Sequence, residues 1–121
     1  MPIYGGSYGV VYREAVHAAS ALKVMYDIDD YYADLASSND PTTAPYILGI
    51  CISGVIAGGV ASILRKGEYI DPTNSLTRGP LFLGVGGIMQ STPPSSGVLV
   101  RMGFASSVSR AIIDVQVPIN I

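Results

Sequence analysis

Two stretches of this sequence carry residue types at spacings that could do covalent chemistry. Gly5-Gly6-Ser7-Tyr8-Gly9 has the G-x-S-x-G spacing of a nucleophile elbow, in which a serine on a sharp strand-to-helix turn attacks a carbonyl. That elbow needs an acid and a histidine later in the chain and a large parallel sheet beneath it. The only histidine, His17, lies eight residues beyond Gly9, and a chain of 121 residues has no room for the sheet. Ser20-Ala21-Leu22-Lys23 has the S-x-x-K spacing in which a lysine assists a nucleophilic serine. The companion S-D-N and K-T-G segments are absent, and on a strand Ser20 and Lys23 would point to opposite faces. Both matches read as accidents of composition, and no catalytic residue is assigned.

Ion and cofactor chemistry fares no better. Asp27, Asp29 and Asp30 form the densest negative charge, but an EF-hand needs oxygen ligands at positions 1, 3 and 5 and a glycine at 6. Tyr31 and Tyr32 occupy the last two of those positions, so the segment reads as a solvated hairpin turn. His17 alone cannot build a metal site. Cys51 is the single cysteine, which rules out an intrachain disulfide and a thiolate zinc site. Within Ile50-Cys51-Ile52 it is expected to be a small buried hydrophobe. Gly84-Val85-Gly86-Gly87 lacks the third glycine of a dinucleotide fingerprint and the lysine of a P-loop, so a glycine-rich β-turn accounts for it. No cofactor and no metal are expected.

The composition points toward assembly. Only 13% of residues are charged, against roughly a quarter in ordinary soluble proteins. With 49% apolar residues, there are too few charges to cover a free monomer comfortably, which favours burial against other subunits or a membrane. A net charge of −2, with no basic cluster larger than Arg65-Lys66, gives no case for nucleic acid. Met1-Pro2-Ile3-Tyr4-Gly5-Gly6 has neither the basic nor the apolar region of a secretory signal and reads as the start of a cytoplasmically made protein.

The elements follow from where apolar runs are cut. From Gly79 onward they are short and interrupted by glycine and proline, with no ten-residue helical period available. Leu81-Phe82-Leu83, Ile88-Met89, 98–102 and 111–117 are therefore predicted strands. Residues 21–26 and 31–36 are predicted to pair as a hairpin about Asp27-Ile28-Asp29-Asp30, with Leu22, Val24 and Tyr26 on one face. The alanines of 13–22 leave a short helix open there. Residues 37–45 and 71–80 are polar loops, and Gly67 to Ile70 should continue the sheet. Residues 45–64 carry no charge, so they have the length of a membrane span, with Gly54 and Gly58 as a GxxxG pair. Four glycines and seven β-branched residues argue instead for two strands of six to seven residues joined by a tight turn at Ala57-Gly58-Gly59. Strands buried on both faces read as continuous apolar runs in this way. Residues 1–12, with Tyr4, Tyr8 and Tyr12 at four-residue spacing, read as an extended arm packing on a neighbour or as a frayed terminus, and 1–19 is assigned as an N-terminal arm. Residues 20–121 should form one β domain: an antiparallel sandwich or small barrel of about eight to ten short strands.

This order of segments resembles the small β-rich structural proteins of tailed-bacteriophage virions, of the capsid-decoration, head-fibre or tail-fibre type. The likeness is carried by 21–26 with Tyr32-Ala33-Asp34-Leu35-Ala36, by Ile47-Leu48-Gly49-Ile50 with Ala57-Gly58-Gly59 and Gly67, and by Leu76-Thr77-Arg78-Gly79-Pro80-Leu81-Phe82-Leu83-Gly84. Gly87-Ile88-Met89-Gln90-Ser91-Thr92-Pro93-Pro94, Val100-Arg101-Met102-Gly103 and Ile112-Ile113-Asp114-Val115 complete it, covering roughly 20–117. The resemblance implies a non-enzymatic structural protein, most often a decoration (cement) protein bridging capsid subunits, or otherwise a tail-fibre or receptor-binding module. It implies a symmetric homo-oligomer, a trimer first, bound to the major capsid protein or other virion proteins. The location would be the capsid surface or tail, after assembly in the host cytoplasm. It brings no catalytic residues.

Overall fold

The uncharged run 45–64 is two antiparallel strands, β5 (Ile47–Cys51) and β6 (Val60–Leu64), in register at Ile50 with Leu64 and Cys51 with Ile63. The computed structural model describes residues 3–4, 9–71 and 75–121. No helix among them is long and apolar enough to cross a membrane. The two strands are one residue or more shorter than the sequence suggests, because 52–59 forms a longer connection. There Val55 pairs with Ala19, and the turn falls near Gly58.

Thirteen strands are present among the described residues, four of them only two residues long. The others in chain order are β1 (Ile3–Tyr4), β2 (Val10–Ala15), β3 (Val24–Asp27), β4 (Tyr32–Leu35), β7 (Lys66–Ile70), β8 (Gly79–Leu83), β9 (Met89–Gln90), β10 (Val98–Leu99), β11 (Arg101–Ser107), β12 (Arg110–Asp114) and β13 (Ile119–Asn120). Five of them close a barrel in the order β2-β4-β3-β5-β6. A six-stranded antiparallel sheet, β1-β7-β12-β11-β8-β9, packs against it, and β10 pairs with β13 as a separate ribbon. The architecture is all-β, as the sequence indicates, and combines the barrel with a second layer. Among the described residues the one parallel contact is the seam that closes the barrel, Glu14 with Tyr32 and Ala15 with Ala33.

The two-layer arrangement explains why β3, β5 and β6 are apolar on both faces. Met25, Leu48, Cys51 and Ile63 fill the barrel with Ala15, Ala33 and Ala61. Val24, Ile50 and Leu64, their neighbours in sequence, point the other way and pack beneath Tyr69, Leu83, Met102 and Ile113 of the sheet. Alternation is intact, but each face meets a core. The predicted grouping of Leu22, Val24 and Tyr26 holds, since all three reach that interlayer core.

Two glycines let neighbouring backbones approach. Gly49 and Gly103 each sit beside a register shift and take φ of 159° and 144°. A Cβ on Gly49 would strike the carbonyl oxygen of Leu64, and one on Gly103 that of Ile112. Gly103 therefore lies inside the seven-residue β11 at a bulge, where the sequence reading ends a strand.

The N-terminal boundary needs correction. Within the segment 1–19, Val10–Ala15 is not part of a detached arm, because β2 is a full barrel strand paired with β6 over five positions, Val10 with Leu64 through Glu14 with Val60, whereas residues 1–2 and 5–8 lie outside the described residues. Arg13-Glu14 hides its alternation from a pattern search. Arg13 nonetheless belongs there because its Nε donates to Asp27 Oδ1 at 3.0 Å across the barrel. Ile3 and Tyr4 pair with Ile70 and Tyr69 of the same chain. No helix forms over 13–22; residues 21–22 turn, with Leu22 at φ 73°. Gly67 belongs to β7, so the chain leaves the barrel at Arg65 and enters the second sheet rather than continuing the first. The hairpin at 27–30 forms as predicted, with Met25 opposite Leu35 and Asp27 opposite Ala33.

Candidate functional site

Each described residue singled out for chemistry has a definite place. Ser7 lies outside the described residues, while His17 stands just past β2 with Nδ1 3.0 Å from both carboxylate oxygens of Asp34. The imidazole is 70% exposed, and among the described residues no hydroxyl bonds to it. This is two-thirds of a triad in open water. Ser20 is exposed, and its carbonyl accepts the Lys23 amide at 3.3 Å, so the S-x-x-K spacing closes a turn.

The three aspartates do separate jobs. Asp27 accepts from Arg13. Asp29 Oδ1 accepts the amides of Tyr31 and Tyr32 at 2.8 and 3.0 Å, an Asx arrangement that fixes the hairpin turn. Asp30 is exposed and makes no hydrogen bond among the described residues. Nowhere among the described residues do three His, Cys, Asp or Glu side chains gather as metal ligands would. Cys51 is buried in the barrel, where its Sγ donates to the Ser53 carbonyl at 2.9 Å. Burial pushes the thiol up, and a backbone hydrogen-bond contribution at Ser53 only partly opposes the shift. Val85–Gly87 is a 3-10 turn with Gly86 at φ 72°, and the Gly86 amide donates to Ser37 Oγ at 3.0 Å. The expected glycine turn is what the structure contains.

Exposed aromatic and aliphatic side chains gather on two faces, while others, such as Tyr46, Ile56 and Val85, line neither. The outer surface of the second sheet forms a shallow trough among Phe82, Leu99, Phe104, Ile112, Val117 and Ile119, with Arg101 and Asp114 at its border. Phe104, Val117 and Ile119 are exposed. The same strands send Met102, Ala111 and Ile113 into the interlayer core, so both sides of this sheet carry hydrophobic residues.

The second face is the barrel's closing seam. Tyr12 and Glu14 project from β2, Tyr32 from β4, Val60 from β6, and Asp30 and Tyr31 from the turn before β4. The register sets Glu14 beside Tyr32 on one flank and Val60 on the other. Sequence reading missed this face. Tyr12, Tyr31 and Tyr32 were visible as tyrosines, but only closure of the barrel brings residue 12 next to 31 and 32.

No protein-family model matches the chain, and no curated protein is significantly similar to it. The functional reading therefore depends on the surfaces.

Proposed function

We propose that this protein is a non-enzymatic structural component of a bacteriophage virion, acting as a capsid decoration protein that bridges and stabilises subunits of the shell. The observation that carries the reading is the exposure of large apolar and aromatic side chains on two separate faces of a domain with only 13% charged residues. Monomeric proteins rarely leave contiguous apolar surface uncovered. A component that bridges neighbours needs two contact surfaces, and it gains affinity from buried area rather than from a pocket. Repetition over a shell adds avidity when adjacent contacts engage together.

In this reading the trough on the outer sheet holds copies of the chain together, a trimer first, and the barrel seam is left for the shell. The partners are the major capsid protein or other virion proteins, and the protein resides on the capsid surface after assembly in the host cytoplasm. Arrangement as a tail-fibre or receptor-binding module uses the same faces at lower copy number.

The test is addition of purified protein to expanded shells lacking it, with the shell dissociation temperature as readout. A rise supports the decoration role, and no shift removes it. Quantitative gels of purified virions then separate head from tail, since a few copies at the tail would favour the fibre reading.

A further inference from the structure

We propose that the barrel seam formed by Tyr12, Glu14, Asp30, Tyr31 and Tyr32 is a docking face for a protein segment that presents an arginine or lysine side chain. The inference deepens the shell-binding reading by naming the chemistry of the partner, and it depends on that reading only for who the partner is.

Three features of the face lead there. Its aromatic rings are open, with Tyr31 73%, Tyr12 59% and Tyr32 40% exposed. Its charge is one-sided: the Glu14 and Asp30 carboxylates make no ion pair or hydrogen bond among the described residues. Among the described residues lining this face the one cation, Arg13, is held by Asp27 at 3.0 Å and donates through Nη1 to the Tyr12 carbonyl at 2.9 Å, so it does not neutralise them. Its backbone is also fixed. The Glu14 amide donates to the Tyr31 carbonyl at 2.7 Å, and Asp29 holds the amides of Tyr31 and Tyr32.

Those features together select a cation. Tyrosine faces attract guanidinium and ammonium groups through the ring quadrupole, and a carboxylate within reach adds a charge-assisted hydrogen bond. A purely apolar partner would leave Glu14 and Asp30 desolvated without compensation, which disfavours it. Glu14 lies beside Tyr32 in register, and Asp30 and Tyr31 line the same shallow pocket as Tyr12. Acids and rings therefore line one pocket, so one planar guanidinium can stack and bond at once. Rigid aromatics on a fixed backbone also lose little conformational entropy on binding.

The test is a titration of the isotope-labelled protein with acetyl-Gly-Arg-Gly-amide, followed by amide chemical shifts. The control peptide carries citrulline in place of arginine, which keeps the shape and removes the charge. The expected result is millimolar binding, with shifts confined to the amides of 12–14, 30–32 and 60. The citrulline peptide should bind at least about fivefold more weakly, and raising salt from about 50 to about 500 mM should weaken arginine binding. Glu14→Gln with Asp30→Asn should abolish the shifts, as should Tyr31→Ala, while the remaining spectrum stays that of the folded protein.

Shifts located elsewhere, equal binding of the citrulline peptide, or wild-type binding by the carboxylate variant would each overturn the proposal. So would stronger perturbation of the same amides by a neutral oligosaccharide such as maltohexaose, which would assign the face to glycans. No shell is needed for these measurements. Binding of the peptide without stabilisation of shells would refute the decoration role and leave this face standing. Shells stabilised equally by the wild type and the carboxylate variant would do the reverse.

Discussion

The hydroxyl of Tyr69, fully buried on β7, donates to the carbonyl oxygen of Ile52 at 3.2 Å, and in doing so ties the second sheet to the end of a barrel strand. The ring around that hydroxyl is the largest fully buried side chain of the interlayer core. Tyr69→Phe keeps the packing and removes the donor, so it should cost about 1–2 kcal/mol. Tyr69→Ala also opens a cavity between the layers and should cost about 3–5 kcal/mol. Urea unfolding followed by circular dichroism checks both values. Equal costs for the two variants would mean that the hydroxyl, not the ring, couples the layers.

Gly103→Ala should be much worse than its size suggests. The new methyl meets the Ile112 carbonyl oxygen, a backbone atom that cannot rotate away, at a φ that side chains avoid. A loss of at least about 2 kcal/mol is expected, and Gly49→Ala should behave alike. Gly54 is the control: the nearest atom to a Cβ there is the Ala19 carbonyl oxygen at 3.9 Å, and its φ is not positive. Gly54→Ala should change stability by less than about 0.5 kcal/mol. A helix-packing GxxxG pair would demand the opposite, with Gly54 intolerant. Thermal melts of the three variants decide the matter.

Cys51 should be unreactive until the barrel opens. At neutral pH a thiol-specific disulfide reagent should label the native protein slowly and the denatured protein fully. The thiol pKa is raised in the folded state, so the neutral form is the one that folding favours. Its contribution to stability is complete below the ordinary thiol pKa of about 8.5 and is lost as pH climbs through the higher folded value. The wild type should therefore lose stability above about pH 8.5 relative to Cys51→Ala, whose profile lacks this component. Parallel pH profiles would contradict the assignment.

Phe104 and Val117 sit on the open trough and contribute little to the interior. Replacing both with serine should leave the unfolding free energy within about 1 kcal/mol of the wild type. The same double variant should lower the association state measured by sedimentation velocity. Unchanged association would move the contact between copies away from this sheet.

Much of the architecture was legible in the residues, and the exceptions have physical causes. The segment 45–64 could be assigned to strands because glycine and β-branched residues oppose a helix, and its lack of charge reflects a core on each side. The hairpin at 27–30 was legible because Asp29 carries local turn chemistry. Strand β2 was not, since Arg13-Glu14 breaks the apolar alternation, and the compensating partner of Arg13 is fourteen residues away at Asp27. Gly103 reads as a stop in the sequence because glycine marks turns and bulges alike, and only the cross-strand register tells them apart. The seam of tyrosines was least accessible of all, because it exists only through a parallel contact between segments that are not consecutive strands.

The two-sided burial of β3, β5 and β6 also limits which sequences can be accepted there. In an ordinary surface sheet every second position is free to drift toward polar letters. Here a library of single substitutions should instead show unbroken blocks of intolerance at 24–25, 50–51 and 63–64, where adjacent residues serve different interiors. Variation in descendants of this chain would be pushed out to the seam and the trough, the two places where new partners could be acquired.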